Sequence, residues 1–239
     1  MKTMGIIGGL GPMATAHLLE VIINMTDAKT DQEHLDVIIF NRPQVPDRTG
    51  YILDHSKPSP VVSMKETASL LEKLGVSVIA APCVTSHFFY DELSGSVSIE
   101  YINMIEETAL ELKKCGVNKV GILATTGTIS TRLFQVYLGK YDIEVLVPTT
   151  EYQAIVMDII YNEIKAGKPM TKKKFQKVSE NLHNQGCECL VLGCTELSLI
   201  DKSDLENGVY LDALEVLAKA CVLKCKAPLK SEYETLLSL

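Results

Sequence analysis

The sequence predicts an α/β protein of two pseudo-symmetric lobes, each a mainly parallel sheet flanked by helices, with a cleft between them. Three observations predict it. Short β-branched runs alternate with amphipathic stretches along the 239 residues, the pattern of βαβ units and parallel sheets. The strand runs are continuously apolar, as in Val78-Ile79-Ala80-Ala81, which suits strands covered on both faces. The chain also repeats itself. Met4-Gly5-Ile6-Ile7-Gly8-Gly9 returns after 116 residues as Val120-Gly121-Ile122-Leu123-Ala124-Thr125, and Val78-Ile79-Ala80-Ala81-Pro82-Cys83-Val84-Thr85 returns after 111 as Cys189-Leu190-Val191-Leu192-Gly193-Cys194-Thr195-Glu196.

In chain order, a β-branched strand at 4–8 leads into an amphipathic helix at 12–26, and a strand at 36–41 precedes a helix at 60–74. A strand at 76–81 is followed by a helix at 99–115. The second half runs strand 119–124, helix 130–138, strand 143–147, helices 152–165 and 172–185, strand 188–192 and helix 213–225. No linker is obvious. The break falls near 95–99 and the last helix returns to the first lobe, so the lobes are 1–98 plus 212–239, and 99–211.

Composition narrows the partners. A net charge of -7, with no Lys/Arg cluster interleaved with aromatics, argues against nucleic acid. No apolar run is long enough for a membrane span. Seven cysteines without a disulfide spacing pattern suit a reducing cytoplasm. Lys2 and Ala14-Thr15-Ala16 faintly mimic a signal peptide, but four glycines and Pro12 make that stretch a poor apolar helix. His17, His34, His55 and His183 show no metal-ligand spacing.

Ligands of open α/β sheets bind beyond the carboxyl ends of the strands. Cys83 and Cys194 both lie there, at matching points of the repeat. Backbone N–H groups at a following helix start favour a reactive thiolate. Two thiols facing each other across a cleft suit racemisation, which removes a proton from one face of a carbon and returns one to the other. The plain alternative is that cysteine fills apolar space. That reading is accepted for Cys115, Cys187, Cys189, Cys221 and Cys225, whereas the paired placement of Cys83 and Cys194 argues for reactivity.

Pro82-Cys83-Val84-Thr85-Ser86-His87 and Gly193-Cys194-Thr195-Glu196-Leu197 resemble the two signatures of the aspartate/glutamate racemase family. Met4 to Pro12, Gly121 to Thr128, and Ile159 to Gly167 resemble its aspartate racemase branch, in order. The resemblance implies racemisation of a small acidic amino acid without pyridoxal phosphate or metal, two α/β lobes around one site, and a homodimer. It places Thr85, Thr125, Thr128 and Thr195 on the substrate α-carboxylate and ammonium. Arg48, one of three arginines, matches the arginine that grips the side-chain carboxylate, as a planar fork can, and Lys165 matches the family's second cation. Thr128 also reads as a helix N-cap, and Arg48 and Lys165 as solvated charges. Glu196 reads equally as a partner of the substrate ammonium or as a stabiliser of a helix start. His87 reads as a tuner of Cys83 or as a hydrogen-bonded structural histidine. Val84 is a departure, since the family has asparagine there, donating to the α-carboxylate.

Three other readings stand beside this one. Gly9-Leu10-Gly11-Pro12-Met13-Ala14 fits a dinucleotide fingerprint, but the acid expected at the end of the second strand is missing, where Phe40-Asn41 stands. An isomerase- or decarboxylase-like enzyme would share the fold, and Val84 suggests a carboxylate binder without catalysis.

Overall fold

The computed structural model describes residues 1–205 and 208–237. Positions 206–207 and 238–239, which fall inside the expected lobe ranges, lie outside the described residues. Strands β1 (Met4–Gly8), β2 (Val37–Asn41), β3 (Val78–Ala80) and β4 (Glu100–Tyr101) form one parallel sheet in the order β2-β1-β3-β4. Strands β5 (Lys119–Leu123), β6 (Glu144–Leu146), β7 (Cys189–Leu192) and β8 (Tyr210–Asp212) form a second in the order β6-β5-β7-β8. The two orders are the same, and the sequence repeat aligns β1 with β5 and β3 with β7.

The helices are α1 (Pro12–Met25), α2 (Arg48–Leu53), α3 (Val61–Lys73), α4 (Tyr90–Ser94), α5 (Met104–Lys114), α6 (Thr126–Thr131), α7 (Leu133–Gly139), α8 (Thr150–Asp158), α9 (Lys172–Asn184) and α10 (Ala213–Lys224). Each sheet is covered on both faces. Met64, Ala68 and Leu71 of α3 cover the outer face of the first through Ile7 and Ile79. Phe175, Val178 and Leu182 of α9, one helical stripe, cover the second through Leu190 and Leu192. The inner faces share a single core in which Ile6, Ala80, Ile122 and Val191 meet α1, α5 and α10.

Four boundaries differ from the sequence reading. The expected helix at 99–115 begins at Met104, because Glu100–Tyr101 pairs with β3 and the Asn103 side chain accepts from the amides of Ile105 and Glu106, each at 3.1 Å. The expected helix at 130–138 is two helices, broken at Arg132 where φ is 56°. The helix expected at 152–165 starts at Thr150 and ends in a π-helical turn, Ile159–Ile164, which sets Lys165 at its C-cap. Residues 48–53, expected as loop, form α2, which Asp47 caps by accepting from the Gly50 amide at 2.7 Å.

Helix α10 carries a buried ion pair. Lys219 Nζ donates to Glu111 Oε2 of α5 at 2.8 Å and to the Glu234 carbonyl at 2.6 Å. Glu111 Oε1 accepts from the Leu236 amide at 2.9 Å. Removing one member of such a pair leaves a bare buried charge, at a cost of about 3–5 kcal/mol. Lys219→Met is therefore expected to lower the urea unfolding midpoint markedly, and adding Glu111→Leu to restore much of it. A midpoint unchanged in Lys219→Met would mean that the pair contributes nothing.

Candidate active site

Loops after β3 and β7 bring Cys83 and Cys194 to one cavity of about 80 Å³ at the carboxyl edges of both sheets. The loops are tied together directly: the Thr195 hydroxyl donates to the Pro82 carbonyl at 3.1 Å. A second tie is a buried triangle of hydroxyls. Thr85 of the first sheet's loop lies 3.1 Å from Thr125 and 2.9 Å from Thr128, which are 3.2 Å apart, and Thr49 donates to Thr125 at 3.2 Å. Helices α2 and α6 meet closely here. A Cβ on Gly127 would lie 2.8 Å from Thr49 Oγ1 and 2.9 Å from its Cα, so a larger residue would wedge them apart.

Of the residues singled out from sequence, Arg48, Cys83, Val84, Thr85, Thr125, Lys165, Cys194, Thr195 and Glu196 line the cavity. Thr128 stands behind the wall, fully buried, holding Thr85 and Thr125. The helix cap at this point is Thr125, which accepts from the Thr128 amide at 3.3 Å. Sequence reasoning missed Leu10, Asp47, Thr49 and Tyr161. Asp47 could have been found as an acidic N-cap three residues before Gly50. Tyr161 lies within the stretch that resembles the racemase branch. Leu10 and Thr49 carry no signal of their own.

The thiols have opposite surroundings. Arg48 Nη1 donates to the carbonyls of Val45 and Pro46 at 3.2 and 3.1 Å, and Nη2 to that of Leu10 at 2.8 Å. These bonds fix the guanidinium beside the Cys83 sulfur. Burial works to lower the Arg48 pKa, but Cys83, Asp47 and Glu196 together outweigh this and the net shift is upward. Its Nε is buried without a hydrogen-bond partner.

Cys194 instead faces a carboxylate. Its Sγ–H donates to Glu196 Oε2 at 3.0 Å, while Glu196 Oε1 accepts from Lys165 Nζ in a short ion pair. Burial first, and then the Glu196 charge, push the Cys194 thiol well above its ordinary pKa. Burial lowers the Lys165 ammonium, yet Glu196 overcomes this and the net shift is upward. Glu196 is thus tied to a thiol and a lysine, rather than to the helix start considered from sequence.

Val84 is almost fully buried and belongs to the shared core with Ile102 and Met104 while also touching the cavity. His87 has a structural place. Nε2 accepts from the Met104 amide at 3.1 Å, which leaves Nδ1–H to donate to the Cys83 carbonyl at 3.0 Å. Burial lowers its pKa, in keeping with a neutral ring that pins the Cys83 backbone.

Two parallel-sheet lobes of one strand order, each sending a strand-end thiol into a shared cavity, define a two-lobed α/β fold with its site between the lobes. The chain belongs to the Asp/Glu/Hydantoin racemase family, whose sequence profile matches residues 7–221. It is similar to an aspartate racemase of Picrophilus torridus, with 32% identity, a TM-score of 0.84 and coverage of 99% of both chains. An aspartate racemase homologue from Pyrococcus horikoshii is 25% identical with a TM-score of 0.77, over 95% of this chain and 100% of that one. The broad specificity amino-acid racemase RacX of Bacillus subtilis is 26% identical over 223 residues, 92% of this chain and 96% of that protein.

The charge placement predicts how Cys194 titrates. Glu196→Gln removes the anion that raises the thiol and leaves the Lys165 cation nearby. The Cys194 thiol is expected to ionise at lower pH in this variant, read as the pH dependence of alkylation at the Cys194 peptide by mass spectrometry. An unchanged or higher ionisation pH would contradict the assignment.

Proposed function

We propose that the protein racemises an acidic amino acid, aspartate ahead of glutamate, by proton transfer between Cys83 and Cys194 without a cofactor, and that it does so in the cytoplasm as a homodimer of chains with lobes near 1–98 plus 212–239, and 99–211. The observation that carries the chemistry is that both thiols line one small cavity with opposite charges beside them. The likeness to an aspartate racemase along almost the whole chain supports the same reaction class.

Cys83, whose sulfur faces the Arg48 guanidinium rather than a carboxylate, takes the α-proton. Cys194, held protonated beside Glu196, delivers its proton to the opposite face of the carbanion. In the reverse direction the roles exchange, and solvent exchange resets the thiols. Thr85 and Thr125, with nearby backbone N–H groups that include that of Thr195, hold the α-carboxylate, since hydroxyls that bond one another can turn their protons toward an anion. Thr128 acts by holding both hydroxyls. Arg48 has five N–H donors, and three are taken by carbonyls. The unpartnered Nε–H is a buried donor for the side-chain carboxylate, and the donors of Lys165 not used by Glu196 add to it.

Cys83→Ser and Cys194→Ser are each expected to abolish racemisation followed by polarimetry or chiral chromatography, while proton exchange from one enantiomer survives. Full racemisation by either variant would sink the two-thiol mechanism. Val84→Asn is expected to change KM by no more than about tenfold, because one neutral hydrogen bond contributes about 0.5–1.5 kcal/mol. A natural protein inert toward aspartate and glutamate, with a Val84→Asn variant that racemises them briskly, would instead make Val84 a specificity switch.

A further inference from the structure

Lys165 and Glu196 line a second hollow as well as the catalytic cavity. It measures about 260 Å³, against about 80 Å³ for the cavity, and its walls are Pro12, Met13, Ala14, Ile164 and Leu199. Met13, Ile164 and Leu199 then continue into an outer groove with Met170 and Ile200. The ion pair therefore stands at the junction of the small two-thiol cavity and a larger apolar hollow.

Two details suit that junction to opening. A Cβ on Gly11 would lie 2.8 Å from Glu196 Oε1 and 3.8 Å from Lys165 Nζ, so glycine leaves the room that the pair occupies. Lys165 sits at the C-cap of the π-helical turn on a flexible four-carbon stem, whereas Glu196 is almost fully buried and tethered to Cys194. The ammonium can swing while the carboxylate stays. Met13, in the first turn of α1, is 66% exposed, and an adaptable thioether of this kind favours contact with varied apolar shapes.

We propose that this hollow is a side-chain subsite, reached past the Lys165–Glu196 pair, that admits amino acids with unbranched apolar side chains as a second substrate class. The inference rests on the two-thiol reading of the cavity. It goes beyond that reading in adding a substrate class that needs no cation. Beyond the pair the wall side chains Pro12, Met13, Ala14, Ile164 and Leu199 are all apolar, and the ammonium at the junction is already paired with Glu196. A straight chain of three or four carbons would leave the α-carbon between the thiols and lay its end on Met13, Ile164 and Leu199. Each buried methylene is worth about fourfold in binding.

The test is α-proton exchange and racemisation of alanine, norvaline, norleucine and aspartate by the natural protein, Met13→Glu and Leu199→Trp. The expected kcat/KM rises from alanine through norvaline to norleucine. Met13→Glu, which sets a charge in the hollow, and Leu199→Trp, which fills it, should each lower norleucine turnover about tenfold or more and leave aspartate within about twofold, which also shows that the variants fold. Aspartate racemisation with norleucine no better than alanine would overturn the subsite and leave the catalytic reading standing. Norleucine turnover indifferent to both variants would place its side chain elsewhere and overturn the proposal. Inactivity toward all four amino acids would remove the catalytic reading and the subsite with it.

Discussion

The cavity depends on one contact between lobes: the hydroxyl of Thr195, beside Cys194, bonded to the carbonyl of Pro82, beside Cys83. Parallel sheets direct all their strand ends one way, and each lobe carries one cysteine at that edge, Cys83 after β3 and Cys194 after β7. Two lobes of the same strand order present two, and the bond between the cysteine loops sets them on one space. The threonine triangle and the close approach of Gly127 to Thr49 hold the same junction from its other side. Helix α10 packs against α1 and α5 behind it, so that both sheets share a core.

Sequence similarity between the halves does not make their chemistry equivalent. The positions two residues after each cysteine differ, Thr85 in one loop and Glu196 in the other. The threonine joins a neutral hydroxyl network, while the carboxylate holds a thiol proton on one side and Lys165 on the other. The first cysteine faces the guanidinium of Arg48, fixed by three carbonyls. A pair of bases that started in the same protonation state could not pass a proton across a carbon. Unequal neighbours give the pair a starting asymmetry, and at Cys194 burial and then the Glu196 charge hold the proton on sulfur.

Much of this was legible in the sequence. The six strands expected from apolar runs are present because both faces of each sheet are covered, which leaves no polar alternation to confuse the reading. Strands β4 and β8, of two and three residues, are too short to show a period. Helix α2, six residues behind an Asp cap, is too short to show a helical period, and Arg132 breaks a helix by a left-handed backbone that its residue type does not announce. Most of the residues singled out for the site line one cavity. Their partners were not legible, since Lys165 meets Glu196 across 31 residues and Thr195 meets Pro82 across 113, and such pairings follow from the packing of lobes rather than from local pattern.

The account stands or falls on two thiols acting on opposite faces of one carbon. The most direct measurement is to incubate the protein separately with L- and D-aspartate in deuterium oxide and follow the α-position of recovered substrate and of product at early times. Two bases predict a product that carries solvent deuterium from the first turnovers, while unreacted substrate stays largely unlabelled, in both directions. A product that retained the substrate's own α-hydrogen, or one that formed without label from solvent, would contradict the mechanism.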